Sequence, residues 1–214
     1  GGIISRLRRE MDAGAGGISF GLEYAPGIST GEMTDAVKAL RAYDPFVSIH
    51  FRADCEACMD SLREMAQLSR DTLCRVQVSH LSSLAGVGGH MAAALDYLDE
   101  EIGRNPLLGF DTYPYTAFMT QIGSAAFDMD WRRKWQADYD ILMLTHEPYA
   151  GMRCTEALYE RLRRETPEAW TVAVEDNGVG FDPELAAGVR EGHYGLTGMR
   201  QRAEVIGARL SVDS

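Results

Sequence analysis

The sequence predicts an α/β fold built on a parallel sheet, and two observations support this prediction. Short apolar runs rich in β-branched residues alternate with stretches that have the amphipathic period of a helix. In addition, polar residues end successive apolar runs at intervals of 30 and 31 residues, at His50, His80 and Asp111. Because one strand–helix unit takes about 30 residues, we expect these side chains at the same end of neighbouring parallel strands.

The elements follow from this alternation in chain order. Candidate strands cover 18–23, 47–50, 76–80, 107–113, 141–144 and 170–174. Candidate helices cover 30–42, 56–69, 90–102 and 154–164. The glycine-rich stretch 81–89 is interpreted as a long, flexible loop above the carboxyl ends of the strands. Residues 116–150 have no regular period, and we interpret them as an inserted or lid-like segment.

Composition narrows the classes of partner. The 214 residues are 45% hydrophobic and 25% charged, which is typical of a soluble globular protein. A net charge of -11 repels phosphate backbones, so nucleic acid is not expected as a partner. No apolar run approaches the roughly 20 residues of a membrane span. The chain begins Gly-Gly rather than Met, from which we expect a fragment or a trimmed chain.

Four cysteines are too few for a disulfide scaffold in a chain of this length. We therefore expect a reducing compartment, the cytoplasm. The Cys55–Cys58 pair has the Cys-x-x-Cys spacing, which allows a redox or zinc role. The alternative interpretation is two cysteines near the start of a helix. Cys74 and Cys154 are placed in a βα loop, which follows a strand, and at a helix start.

The two histidines at strand ends form the first candidate site. A neutral imidazole is a good zinc ligand, and two imidazoles on adjacent parallel strands can share one ion. The alternative is that His50 and His80 are separate core or surface residues.

Several segments in order resemble the N-acyl-D-amino-acid deacylases, or D-aminoacylases, of the amidohydrolase superfamily. They are DAGAGGISFGLEYAPG at 12–27, SIHFR at 48–52, VQVSHL at 76–81, DTYPYTA at 111–117 and GMRCTEALYERLR at 151–163. The resemblance covers residues 1 to about 172. It implies a TIM-like barrel and a zinc-dependent hydrolase that cleaves the amide of a small N-acyl-D-amino acid.

The same resemblance assigns roles to individual residues. It makes His50 and His80 zinc ligands, and it places Tyr113 and Arg52 at the substrate. The sequence departs from the family at other positions. An N-terminal His-x-His strand, a metal-binding cysteine and a late catalytic Asp are not found, so we expect no general base and an incomplete Zn²⁺ site. Ser82 stands where the family usually has a lysine that binds the substrate carboxylate.

A different pattern begins after residue 173. VEDNGVGF at 174–181 and GHYGLTGMRQRAE at 192–204 resemble the two glycine boxes of the histidine-kinase-type ATPase domain, an α/β sandwich. Glycines permit close backbone approach to a nucleotide, and a helix N-terminus suits phosphate. The resemblance makes ATP with Mg²⁺ the ligand and assigns Asp176 to adenine. The glycines assigned to the pocket and the phosphates are Gly178, Gly180, Gly195 and Gly198.

This second segment lacks the family's helix with the magnesium-binding Asn, and about 40 residues are marginal for independent folding. We therefore expect poor ATP affinity and no kinase activity. The predicted organisation is an incomplete barrel over 1–172 joined to a partial ATPase domain over 173–214. The primary hypothesis is an amidohydrolase fragment, inactive alone, with self-association through open sheet edges. The alternatives are an ATP-binding part of a sensor histidine kinase and a non-catalytic fusion or interaction protein.

Overall fold

A computed structural model of the chain describes residues 2–113, 117–145, 147–167 and 171–175. The chain divides into two compact units, Gly1–Asp176 and Asn177–Ser214. The second unit, with most of the predicted ATPase segment, lies outside the described residues. The first unit contains two sheets.

Four parallel strands form the first sheet, in the order β1-β2-β3-β4. The strands are β1 (Gly17–Gly21), β2 (Phe46–His50), β3 (Arg75–Val78) and β4 (Leu108–Phe110). The helices that precede or connect them are α1 (Ile3–Asp12), α2 (Thr30–Leu40), α3 (Cys58–Thr72), α4 (Leu81–Ala85) and α5 (Met91–Arg104). The predicted α/β class with a parallel sheet is confirmed. Closure of this sheet as part of a barrel stays a prediction.

The start of α2 shows how the local sequence determines an element. Ser29 is the N-cap: its hydroxyl accepts a hydrogen bond from the backbone N–H of Glu32. The Glu32 carboxylate in turn accepts from the backbone N–H of Ser29 at 2.9 Å. This reciprocal capping box satisfies two backbone donors that the first helical turn leaves unpaired, and the helix begins at Thr30 as predicted.

Two loop predictions are wrong. Residues 81–89, expected to be a long flexible loop, contain α4 and a short 3₁₀ turn at Val87–Gly89. Leu81 and Leu84 in this stretch are buried in the core, which anchors it to the sheet. Cys74 is buried in the connection from α3 to β3, before a strand rather than after one.

The second sheet is antiparallel and has the order β5-β7-β6. Its strands are β5 (Ala117–Gln121), β6 (Leu142–Leu144) and β7 (Thr171–Glu175), and two helices belong to the same region, α6 (Trp131–Lys134) and α7 (Glu156–Glu165). Residues 117–145 provide two of the three strands of this sheet, β5 and β6, and β7 pairs between them from further along the chain. The interpretation of residues 116–150 as an inserted or lid-like segment stays a prediction.

Each sheet has its own hydrophobic core. The first core packs α2, α3 and α5 against the parallel strands, and its fully buried residues include Leu22, Ile49 and Leu62. The second core is aromatic and centres on Phe127, Trp131 and Trp135. Within the described residues, no helix is long and apolar enough to cross a membrane.

Candidate functional site

The two predicted zinc ligands lie side by side at the carboxyl end of the parallel sheet. β2 ends at His50, and His80 follows β3 by two residues. Nδ1 of His50 lies 3.0 Å from Nε2 of His80, with the rings tilted by 67°. Phe51 stacks on the His50 ring at a centroid distance of 4.4 Å, and Tyr24 contacts it at 4.7 Å. The structure thus brings two imidazole nitrogens to hydrogen-bond distance between apolar walls.

The other ring nitrogen of His50 is hydrogen-bonded to Glu23. Glu23 follows β1, and its Oε2 lies 3.0 Å from Nε2 of His50. Burial alone would raise the pKa of Glu23, but the hydrogen bond to His50 and the charge of Lys134 outweigh it and lower the pKa. The carboxylate is therefore ionised at neutral pH, and it favours a proton on Nε2 of His50.

A second buried carboxylate shares the same cation. Nζ of Lys134, in α6, lies 3.6 Å from Glu23 and forms an ion pair with Asp54. The indole N–H of Trp135 donates to Asp54 at 3.2 Å. Burial would lower the pKa of Lys134, but the Asp54 and Glu23 charges outweigh it and raise the pKa. Lys134 is therefore charged, and it links the second core to the histidine pair.

His80 is held through its backbone. Its φ of 43° is in the left-handed region, and its backbone N–H donates to Oδ1 of Asp111 at 2.6 Å. Asp111 also accepts from the Gln77 side chain at 3.0 Å. Burial, followed by the nearby His50, lowers the pKa of His80, so its ring is neutral at physiological pH, as a metal ligand must be.

The substrate-binding residues implied by the family resemblance are engaged in contacts within the chain. The Arg52 guanidinium donates two hydrogen bonds to Glu64, at 2.9 and 3.0 Å, and a third to the carbonyl of Pro26 at 3.2 Å. The hydroxyl of Tyr113 lies 2.5 Å from that of Ser83. The described contacts of Arg52 therefore fix the loop after β2 to α3.

The cysteines are buried thiols. Cys55 lies in a 3₁₀ turn and Cys58 begins α3. Burial raises the pKa of Cys55 to about 12 and that of Cys154 to about 11, and it also raises the pKa of Cys58. Because a thiolate is the reactive and metal-binding form, these surroundings disfavour redox or zinc chemistry at Cys55–Cys58.

The histidine pair fits part of a zinc donor set. The two imidazoles present facing nitrogens, and Nδ1 of His80 is buried without a hydrogen-bond partner in the described part of the chain. A protein zinc site usually has three or four ligands. Among the described residues, no group of three or more His, Cys, Asp or Glu side chains could hold a metal. In the part of the chain that the structure describes, the histidine pair is therefore not accompanied by a third candidate ligand.

The remaining histidines and the predicted nucleotide-binding residues are not part of this pair. His90 precedes α5, half-exposed, and its side chain makes no capping hydrogen bond. His146 and the five predicted nucleotide-binding residues lie outside the described residues, and the latter remain predictions. They are Asp176, Gly178, Gly180, Gly195 and Gly198.

Three residues around the pair were not predicted: Glu23, Asp54 and Lys134. A signal for Glu23 was present, because positions 23, 50, 80 and 111 are separated by 27, 30 and 31 residues, the same unit period as the histidines. No comparable local signal marks Lys134, which reaches the site through the packing of the second core.

No protein-family model matches the chain. Several solved structures resemble it in fold. One is a D-aminoacylase described as defining a novel subset of amidohydrolases, with a TM-score of 0.63 and 19% identity over 86% of this chain and 40% of that one. A second D-aminoacylase, described by the role of its binuclear metal centre, has a TM-score of 0.63 and 17% identity over the same shares.

The N-acyl-D-glutamate deacylase of Bordetella bronchiseptica, in complex with zinc and a phosphonate inhibitor, is also similar. It has a TM-score of 0.63 and 20% identity over 80% of this chain and 37% of its own. At these identities, the likeness establishes a shared fold. The chain spans about 40% of the length of these enzymes or less.

A curated relative resembles a smaller part of the chain. Over 59 residues, 27% of this chain, the sequence is 37% identical to an uncharacterized sensor-like histidine kinase of Chloroflexus aurantiacus. The match covers 10% of that kinase.

Proposed function

We propose that residues 1–172 are the metal-ligand-bearing part of a zinc-dependent amidohydrolase that acts on N-acyl-D-amino acids. The observation that carries this proposal is the histidine pair, with Nδ1 of His50 and Nε2 of His80 only 3.0 Å apart at adjacent strand ends. The fold shared with D-aminoacylases and the zinc in the Bordetella deacylase support it.

The chemistry follows from the residues present. Zinc, when bound, polarises an acyl carbonyl and lowers the pKa of water. His50 and His80 would hold it, and Glu23 orients the His50 ring. Asp111, a carboxylate near the pair, accepts hydrogen bonds from the His80 backbone and from Gln77, and we expect it to orient His80 rather than to transfer protons. We therefore expect this chain to bind metal weakly and to hydrolyse little or no substrate alone.

Metal binding by the full chain tests this proposal. Titration with Co²⁺, a spectroscopic substitute for zinc, should give visible absorption bands that are lost in His50→Ala and His80→Ala. Because each variant removes one of two ligands, affinity should fall at least about tenfold. His90→Ala is the matched control, since His90 is separate from the pair, and it should bind as the parent does.

Equal cobalt affinity in the parent, His50→Ala and His80→Ala would contradict the proposal. A parallel assay with N-acetyl-D-amino acids should give turnover at or near background. Rapid turnover that survives both histidine substitutions would contradict it as well.

A second candidate function concerns the C-terminal segment. The identity to a sensor-like histidine kinase favours an ATP-binding role for part of this chain. We assign that role to residues 173–214, where the two glycine boxes lie, with Asp176 at the adenine. The assignment rests on those sequence motifs and is independent of the metal site.

A further inference from the structure

We propose that Glu23 is a positioning residue for the metal site, and that Lys134 and Asp54 anchor it from the second core. This inference rests on the proposed function and adds three residues to it. On this proposal, α6 helps to orient the His50 ring through Lys134.

The first step is the contact between Glu23 and His50. A histidine that ligates a metal through one ring nitrogen usually donates its other N–H to a carboxylate or carbonyl, which fixes the ring and its tautomer. Oε2 of Glu23 accepts from Nε2 of His50 at 3.0 Å, so Nδ1 is the nitrogen turned towards His80. Both partners are largely buried, with 12% and 16% of their side chains exposed, which keeps water from competing for this bond.

The second step is the anchoring of Glu23. Its other oxygen, Oε1, lies 3.6 Å from Nζ of Lys134, an ion-pair distance that acts mainly through charge. Lys134 is 15% exposed and is itself fixed by the ion pair with Asp54, of which 5% is exposed. Asp54 also accepts from the Trp135 indole, so the anchor extends into the aromatic core.

The third step is the charge balance of this cluster. One ammonium lies between two carboxylates, and Asp111 places a third carboxylate beside His80, so acidic groups outnumber the cation around the imidazole pair. Burying two carboxylates without a cation would be costly, so Lys134 stabilises their placement in this cluster. The remaining negative charge favours a cation at the histidines.

The experiment observes the His50 imidazole N–H directly, in metal-free full-length protein with ¹⁵N-labelled histidine. The chain has five histidines, so the signals can be assigned by substitution. The parent should show a slowly exchanging, low-field Nε2 proton on His50. Glu23→Leu should lose it, while Glu23→Gln, which keeps an acceptor oxygen, should retain it at higher field. Glu56→Leu is the control, because Glu56 is exposed.

Lys134 is tested by the same signal. Lys134→Met should speed the exchange of the His50 proton. Lys38→Met, at the only other lysine of the chain and on an exposed position, should not. Because Lys134 acts through Glu23, adding Lys134→Met to Glu23→Leu should change the His50 signal no further.

Measurement of cobalt affinity then distinguishes a failure of this inference from a failure of the proposed function. In Glu23→Leu it should fall by about 10–100-fold, with recovery in Glu23→Gln. An unchanged His50 signal in Glu23→Leu, or equal cobalt affinity in parent and Glu23→Leu, would overturn the positioning role. If the parent binds no cobalt, the proposed function fails, and the proton signal alone decides whether Glu23 orients His50.

Discussion

Arg52, which the family resemblance places at the substrate, also binds Glu64 within the fold. Its two hydrogen bonds to Glu64 are charge-assisted and partly buried. We expect Arg52→Met to lower the free energy of unfolding by about 2 kcal/mol, measured by urea denaturation. Arg63→Met, on α3 beside Glu64, is the control. Its pair with Asp60 is exposed, so the loss should stay below about 1 kcal/mol.

The Arg52 pair also predicts a pH dependence. Burial would raise the pKa of Glu64, but hydrogen bonds from Arg52 and Thr30 outweigh it and lower the pKa. A carboxyl with a lowered folded pKa adds stability above its unfolded pKa and loses it as the pH falls through the folded pKa. The difference in stability between the parent and Arg52→Met should therefore shrink below about pH 4. A constant difference down to pH 2 would contradict this account.

The strand period in the sequence predicts that His50 and His80 lie side by side, and the structure places them in contact. Their role as metal ligands stays a prediction. Glu23 shares that period, but the period alone does not mark it as a site residue, since a carboxylate after a strand is common on protein surfaces. Asp54 and Lys134 were not predictable in the same way, because their pairing joins positions 80 residues apart.

At the scale of elements, Gly17 determines how closely β1 approaches β2. A Cβ atom at this position would lie 1.8 Å from the carbonyl oxygen of Phe46, a backbone atom that cannot move aside. We expect Gly17→Ala to cost about 3 kcal/mol or more and to broaden amide signals along β1. Gly16→Ala is the control, because nothing lies within 4 Å of its added Cβ, and its effect should stay within about 0.5 kcal/mol. Equal stability of the two variants would show that β1 is not held at this distance.

The helices and strands differ in whether their own sequence is enough to predict them. The four parallel strands and the helices α2, α3, α5 and α7 were predicted because each carries its own apolar period. α4 is five residues long, which is too short to show a helical period of apolar residues in the sequence. β5 was missed because its partner, β7, lies 50 residues away and decides which side chains are covered. Strand propensity depends on such neighbours more than on the segment itself.

At the scale of the whole molecule, the sequence indicated a change of pattern near residues 171–175, and β7 occupies those residues. β7 is the central strand of the second sheet, hydrogen-bonded to β5 on one side and β6 on the other. The first compact unit accordingly ends at Asp176, after this strand. The assignment of 173–214 to a second enzyme family stays a prediction, although its first three residues complete the second sheet.

Comparison of the full chain with a chain ending at Asp176 tests this organisation. The shorter chain keeps β7 and both cores, so its unfolding should remain cooperative. Tryptophan fluorescence follows it, because two of the three tryptophans, Trp131 and Trp135, lie in the second core. Its cobalt affinity should equal that of the full chain, because both histidines and Glu23 are retained.

A fluorescent ATP analogue should bind the full chain weakly and should not bind the shorter chain. The Asp176→Ala variant of the full chain should bind the analogue less tightly than the Asp182→Ala variant, which is the control. Equal nucleotide binding by the full and shorter chains would place any ATP site outside residues 177–214. Loss of cobalt binding with the C-terminal segment would show that the two predicted functions are not independent.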